Sequence, residues 1–136
     1  MSADCPLCNR DGGTVLRRDD RLRIVMPGEP DHPGMLRVIW NSHVREMTDL
    51  EPDERAACLH AVFSCESVLR DVLEPDKINL ASLGNMVPHL HWHVVPRYRD
   101  DPHFPDPVWS PRRRETARGV PADFAARVSE RLQALA

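Results

Sequence analysis

No apolar run in the sequence approaches the roughly 18 residues that a membrane span requires, and the N-terminus lacks the basic-then-apolar pattern of an exported chain. A cytoplasmic protein with no membrane partner is the expectation. Charge excess is also small, since 18 basic residues stand against 21 acidic ones for a formal charge of −3. That balance argues against nucleic acid as the main partner. Lysine is nearly missing, with Lys77 the single example, so cationic contacts fall to guanidinium groups that bind phosphates and carboxylates bidentately. No internal repeat is visible. A chain of 136 residues with this balance of 41% hydrophobic and 29% charged residues reads as one globular domain, residues 1–136, with its core over 5–99.

Proline, by contrast, is abundant: 13 residues against an average share of about 5%. The prolines cluster at 27–33 and 102–111 and predict fixed loops there. The four cysteines divide into two kinds. Cys58 and Cys65 fall in the stripe Cys58, Val62, Cys65, Leu69, Val72, which is one buried helix face, and a free cysteine there packs as a small hydrophobe. Cys5 and Cys8 form a C-x2-C pair that asks for a metal, the alternative being two idle thiols on a loose tail.

Residues 14–16 and 22–26 read as a hairpin, 35–40 as an apolar strand, 77–82 and 90–95 as two more strands. Pro52, Asp53 and Glu54 mark the start of a helix running to residue 73, and Phe124, Val128, Leu132 and Leu135 mark a closing helix within 121–136. The class is α+β with an antiparallel sheet. Whether the closing helix packs on its own body or on a partner is open at this level.

Three of the seven histidines lie in His89-Leu90-His91-Trp92-His93-Val94-Val95. On a strand the alternation puts His89, His91 and His93 on one face, roughly 7 Å apart, with Leu90, Trp92 and Val94 on the core side. Two chemistries fit such a row. The imidazoles can chelate a catalytic transition metal, or a neutral imidazole can attack phosphorus while its neighbour protonates the leaving oxygen.

The motif resembles the His-φ-His-φ-His-φ-φ signature of the histidine triad (HIT) superfamily, φ being apolar. Residues 34–44, a glycine-led strand ending at His43, are similar to the segment that precedes the triad in that family, and Gly84-Asn85 stands where it usually has Gly-Gln. The resemblance implies a HIT-like fold: an antiparallel sheet of about five strands, a long helix packed on it and a C-terminal helix. It implies a nucleotide hydrolase or transferase that cleaves a nucleoside phosphate derivative, a dinucleoside polyphosphate or phosphoramidate, at the α-phosphorus. His91 would be the nucleophile that forms a nucleotidyl-histidine, His93 would contact phosphate and protonate the leaving atom, and Asn85 would donate to a phosphate oxygen. No catalytic metal is needed. Members with the knuckle bind a structural zinc, which maps to Cys5, Cys8, His43 and His89, and they commonly form homodimers. The alternative is a zinc-stabilised nucleotide-binding module with little turnover. Met86 replaces a serine found in one branch, and Pro96-Arg97 is similar to the branches that cleave dinucleoside polyphosphates.

Other residues carry weaker expectations. Arg97 is either a phosphate contact or a solvated charge. His32, His60 and His103 are expected at the surface, and Arg112 to Arg114 as a solvated basic run.

Overall fold

The computed structural model describes residues 3–116 and 118–136. Alternation along the strands decides which side of the sheet each residue serves. Strands β1 (Thr14–Arg18), β2 (Leu22–Met26), β3 (Leu36–Trp40), β4 (Lys77–Ala81) and β5 (His91–Arg97) form one antiparallel sheet in the order β1-β2-β3-β5-β4. Leu22 and Ile24 of β2, Leu36 and Val38 of β3, and Val94 of β5 are buried in the larger core. The intervening residues, Val25, Arg37, Ile39, His91 and His93, therefore face the other side. The hairpin is closed by Asp19, whose Oδ1 accepts the N–H groups of Arg21 and Leu22 at 2.8 and 2.9 Å, a local turn made by a short carboxylate.

The larger core lies between the sheet and helix α2 (Pro52–Leu73), which begins with Pro52 in its first turn and a reciprocal cap in which Glu51 N–H donates to Glu54. Cys58, Ala61, Val62, Cys65 and Leu69 are buried along its inner face. Burial alone pushes the Cys58 thiol up to about 11, and it is the larger influence in raising Cys65 to about 12, so both stay protonated hydrophobes.

Helix α3 (Phe124–Ala134) packs on its own body, against α2 and β1. Phe124, Val128 and Leu132 are at most 1% exposed. Ser129 Oγ donates to the Leu16 carbonyl and Arg17 Nη1 to the Leu132 carbonyl, so the helix also covers the free edge of β1. Phe124→Ala is expected to cost about 3–5 kcal/mol through lost burial and the cavity left behind, read as a lower urea midpoint at unchanged slope. A loss below 1 kcal/mol would mean that α3 is not part of the core.

Beyond β5 the chain is fixed by charges, which corrects three sequence expectations. Arg97 is only 2% exposed. Its Nε and Nη2 donate to Asp101 at 2.8 and 3.2 Å, Nη1 to Asn79 Oδ1 at 2.7 Å, and Nη2 also to the Asp106 carbonyl at 2.8 Å. Four of its five N–H groups are thereby taken, so Arg97 braces the proline-rich segment instead of standing in solvent. His32 and His103 are buried, not exposed, because that brace folds residues 98–106 against the 27–35 loop; their rings stack with Nε2 and Nδ1 2.9 Å apart. His60 is exposed as expected, with Nε2 bonded to the Leu135 carbonyl. The basic run is also paired: Arg112 with Asp31, Arg113 with Asp106, and Arg114 donating to the Asp101 and Phe104 carbonyls.

Candidate active site and metal centre

The sheet face away from the helices holds both chemical clusters. At one end, the short helix α1 (Pro6–Asn9) carries Cys8 immediately after Cys5 has entered the smaller buried cluster with Leu7, Val25 and Ile39. Cys5 Sγ lies 3.3 Å from His89 Nδ1, Cys8 Sγ 3.3 Å from His43 Nδ1 and 3.5 Å from His89 Nδ1, and the two Nδ1 atoms are 3.2 Å apart. A tetrahedral zinc with bonds of about 2.0 Å to nitrogen and about 2.3 Å to sulfur has N–N edges of about 3.3 Å and N–S edges of about 3.5 Å. The four groups fit that tetrahedron. His89 is fully buried, and its Nε2 lies 2.6 Å from the Trp40 carbonyl, so Nε2 carries the proton and Nδ1 presents its lone pair to the cluster. These residues can hold a metal ion and are compatible with zinc.

That placement changes the expected row of three imidazoles. Strand β5 starts at His91, and His89 precedes it, turned into the cysteine cluster. The reading of all three histidines as one catalytic metal centre is therefore overturned. His91 and His93 remain as a pair, edge to face with centroids 5.0 Å apart.

The register of β3 and β5 sets that pair beside Ile39 and Arg37, respectively. His91 Nδ1 lies 2.6 Å from the His89 carbonyl, which can only accept; Nδ1 is the protonated nitrogen and Nε2 the basic one. Ser82 Oγ donates to the His91 carbonyl at 2.7 Å and steadies the strand. Burial first, and then the Arg37 charge, hold the His91 pKa below the ordinary value against the raising effect of the His89 carbonyl. Burial, the neighbouring His91 and Arg37 bring His93 down to about 4. Both rings are thus neutral near pH 7.

The two imidazoles line a cleft of about 610 Å³ whose other walls include Leu7 and Arg10 of the knuckle, Arg37, the loop carrying Asn85, Met86 and Val87, and Trp109. Gly84, at φ 69°, is the left-handed residue that turns this loop back towards the cleft, and exposed Asn85 reaches it there. Trp109 comes from the proline-rich segment and stands edge-on to His93 at 5.5 Å. Trp92, expected in the core, packs against it while staying partly exposed. Sequence reasoning missed Arg10, Arg37 and Trp109. A charged residue within the apolar strand 36–40 was a usable signal; Trp109 offered none, because no periodicity surrounds it.

A second cluster, His32, Asp101 and His103, brings its ligand-type atoms equally close. Burial opposes ionisation of Asp101, yet Arg97 and the N–H groups of His103, Tyr98 and Phe104 outweigh it and hold the carboxyl below its usual range. Both carboxylate oxygens are already used by these donors, so the cluster reads as a brace.

Residues 11–100 match the HIT domain. The chain belongs to the HIT domain family. Cys5 and Cys8 lie ahead of the matched segment, and their approach to His43 and His89 is consistent with a C-x2-C knuckle added to the HIT domain. The protein is 29% identical over 107 residues to a Mycobacterium tuberculosis protein named AP-4-A phosphorylase, covering 74% of this chain and 55% of that one. It is 30% identical over 87 residues to an asymmetrical bis(5′-nucleosyl)-tetraphosphatase of Schizosaccharomyces pombe, covering 60% and 48%. The match thus spans about half the length of each relative. A histidine triad protein of Sinorhizobium meliloti superposes with a TM-score of 0.73 at 26% identity, over 89% of this chain and 90% of that one. The HIT fold of this protein, a five-stranded antiparallel sheet with its helices, is thereby established, and no helix among the described residues is long and apolar enough to cross a membrane.

Proposed function

We propose that this HIT protein is a nucleotidyl hydrolase or transferase acting on dinucleoside polyphosphates, with His91 as covalent nucleophile. One observation carries the reading: the bond from His91 Nδ1 to the His89 carbonyl leaves Nε2 as the basic nitrogen of a ring that lines the cleft. The names of the two relatives support the substrate class, since both refer to compounds in which two nucleosides share a phosphate chain.

In the proposed step the Nε2 lone pair forms a bond to the α-phosphorus and the bond from that phosphorus to its bridging oxygen breaks. His93 gives its proton to the departing phosphate chain. Water or inorganic phosphate then displaces the histidine and restores the free ring. Dividing one displacement into two, each with its reactants held in place, lowers both barriers. His93 is neutral in the empty cleft, and an arriving phosphate offsets the Arg37 charge that disfavours its protonation, so substrate and proton enter together. Asn85 supplies a neutral donor to a phosphate oxygen from the rim. A zinc held by Cys5, Cys8, His43 and His89 is structural in this scheme, because four protein ligands close its coordination.

The test is to mix the protein with a dinucleoside tetraphosphate radiolabelled at both α-phosphates, quench in alkaline denaturant that spares P–N bonds, and map the label. Label on His91 is expected within one turnover. Turnover with an unlabelled chain would remove the covalent step, and saturable binding without turnover would leave a binding module instead.

A further inference from the structure

The step written above uses only the charge of Arg37 beside His93, whereas the fold also sets its guanidinium on the wall of the cleft. It is the second residue of β3, opposite Val25 on one side and His93 on the other. Cross-strand neighbours stand roughly 5 Å apart at Cβ, so its side chain rises next to the His93 ring. Its charge bears on both His91 and His93. Other arginines of the sheet have partners: Arg17 Nη1 donates to the Leu132 carbonyl although its Nε, like that of Arg37, is buried without an acceptor, Arg23 donates to Asn41 and to the Asp11, Leu7 and Arg10 carbonyls, and Arg97 donates to Asp101 and Asn79. Among the described residues Arg37 forms no ion pair, and its Nε is shut off from water without any acceptor. A guanidinium N–H left in that state is costly unless a ligand supplies the acceptor.

The composition of the cleft points the same way. The chain is acidic overall, yet among the described residues no Asp or Glu lines this cleft, while two arginines do. Arg10, exposed at the mouth, also has no carboxylate partner among the described residues. Two cations without carboxylate partners in one cavity favour an anion carrying several charges.

We propose that Arg37 is a phosphate-binding, specificity-determining residue: its Nε–H and one Nη–H grip non-bridging oxygens of the phosphate next to the one attacked, and Arg10 follows the chain at the mouth. The cleft thereby selects a polyphosphate-linked nucleotide over a single phosphate with an uncharged leaving group. The order of the phosphates rests on His91 being the nucleophile; the anion site itself does not. The planar fork matters as much as the charge, since lysine offers a point charge without paired, parallel donors.

The experiment has two arms on the full chain. In the first, inorganic tripolyphosphate is titrated by calorimetry, and the Arg37 Nε–H resonance is followed by NMR. A shift of that resonance is expected on binding, together with a loss of affinity of about tenfold to hundredfold in Arg37→Gln and a smaller loss in Arg37→Lys. In the second, kcat/KM for diadenosine tetraphosphate should fall by a similar factor in Arg37→Gln, and by at least about tenfold more than that for adenosine 5′-phosphoramidate. An unmoved resonance with unchanged tripolyphosphate affinity overturns the site, and equal losses on the two substrates overturn the selection. If Arg37→Gln melts early, the resonance of the unsubstituted protein and the Arg37→Lys titration still decide. A protein that turns over no nucleotide but keeps the tripolyphosphate shift refutes the proposed function and leaves the anion site standing.

Discussion

His91→Gly is expected to lower turnover of a dinucleoside tetraphosphate by at least about 10⁴-fold, the order seen when a covalent nucleophile is removed from an enzyme. Nucleotide affinity should change far less, because Arg37, His93 and Asn85 still line the cleft. His91→Asn is the better-matched partner variant. Its amide nitrogen stands near the place of Nδ1, so the bond to the His89 carbonyl can survive while the basic nitrogen is lost. Both variants should therefore be inactive, and only the glycine variant should recover part of its activity when free imidazole is added to fill the space. Measurement of kcat, nucleotide Kd and melting temperature separates these effects. Residual activity above about a tenth of the original in a folded His91→Asn protein would show that the ring is not the nucleophile.

Loss of the metal cluster should have the largest effect on stability. The cysteines tie residues 5 and 8 to residues 43 and 89, closing a loop of 84 residues between Cys5 and His89. Such a cross-link restricts the unfolded chain far more than the folded one. The two thiols and two imidazole nitrogens all lie within 4.8 Å of one another, and buried His89 has no solvent to turn to when no ion separates them. Cys8→Ala, or stripping by a strong chelator, is expected to lower the melting temperature by on the order of 10 °C. Activity should fall with it, because the knuckle supplies Leu7 and Arg10 to the cleft wall and His89 precedes the reactive ring by two positions. Elemental analysis should find one zinc per chain. A stripped protein and a Cys8→Ala variant that melt with the untreated protein and keep full activity would make the knuckle an ornament.

Much of the architecture was legible because periodicity is local. The stripe from Cys58 to Leu69 named the inner face of α2, Pro52 with its two acids named the start, and the alternation in β5 named its two faces. The strand ends were less legible: β5 runs on through Pro96 to Arg97, where β4 holds it by pairing with Ile78 and Lys77. Arg97 shows the limit most clearly. A charged residue after a proline at a strand end has the same local pattern whether it meets a phosphate, water or Asp101.

What the sequence determined by itself was the chemistry on offer: the imidazoles of 89, 91 and 93, the thiols of 5 and 8, the imidazole of 43, and the HIT resemblance they carry. Only the tertiary structure decided how that chemistry was divided. It turned His89 into the cysteines and left His91 and His93 facing a cleft. It placed Arg37 beside them, laid Trp109 against His93, and withdrew Arg97, His32 and His103 into a brace. The reason is physical: residue type and spacing fix which groups exist and which face of an element they occupy, whereas pairing between groups on different elements depends on register and loop closure, which no local pattern contains.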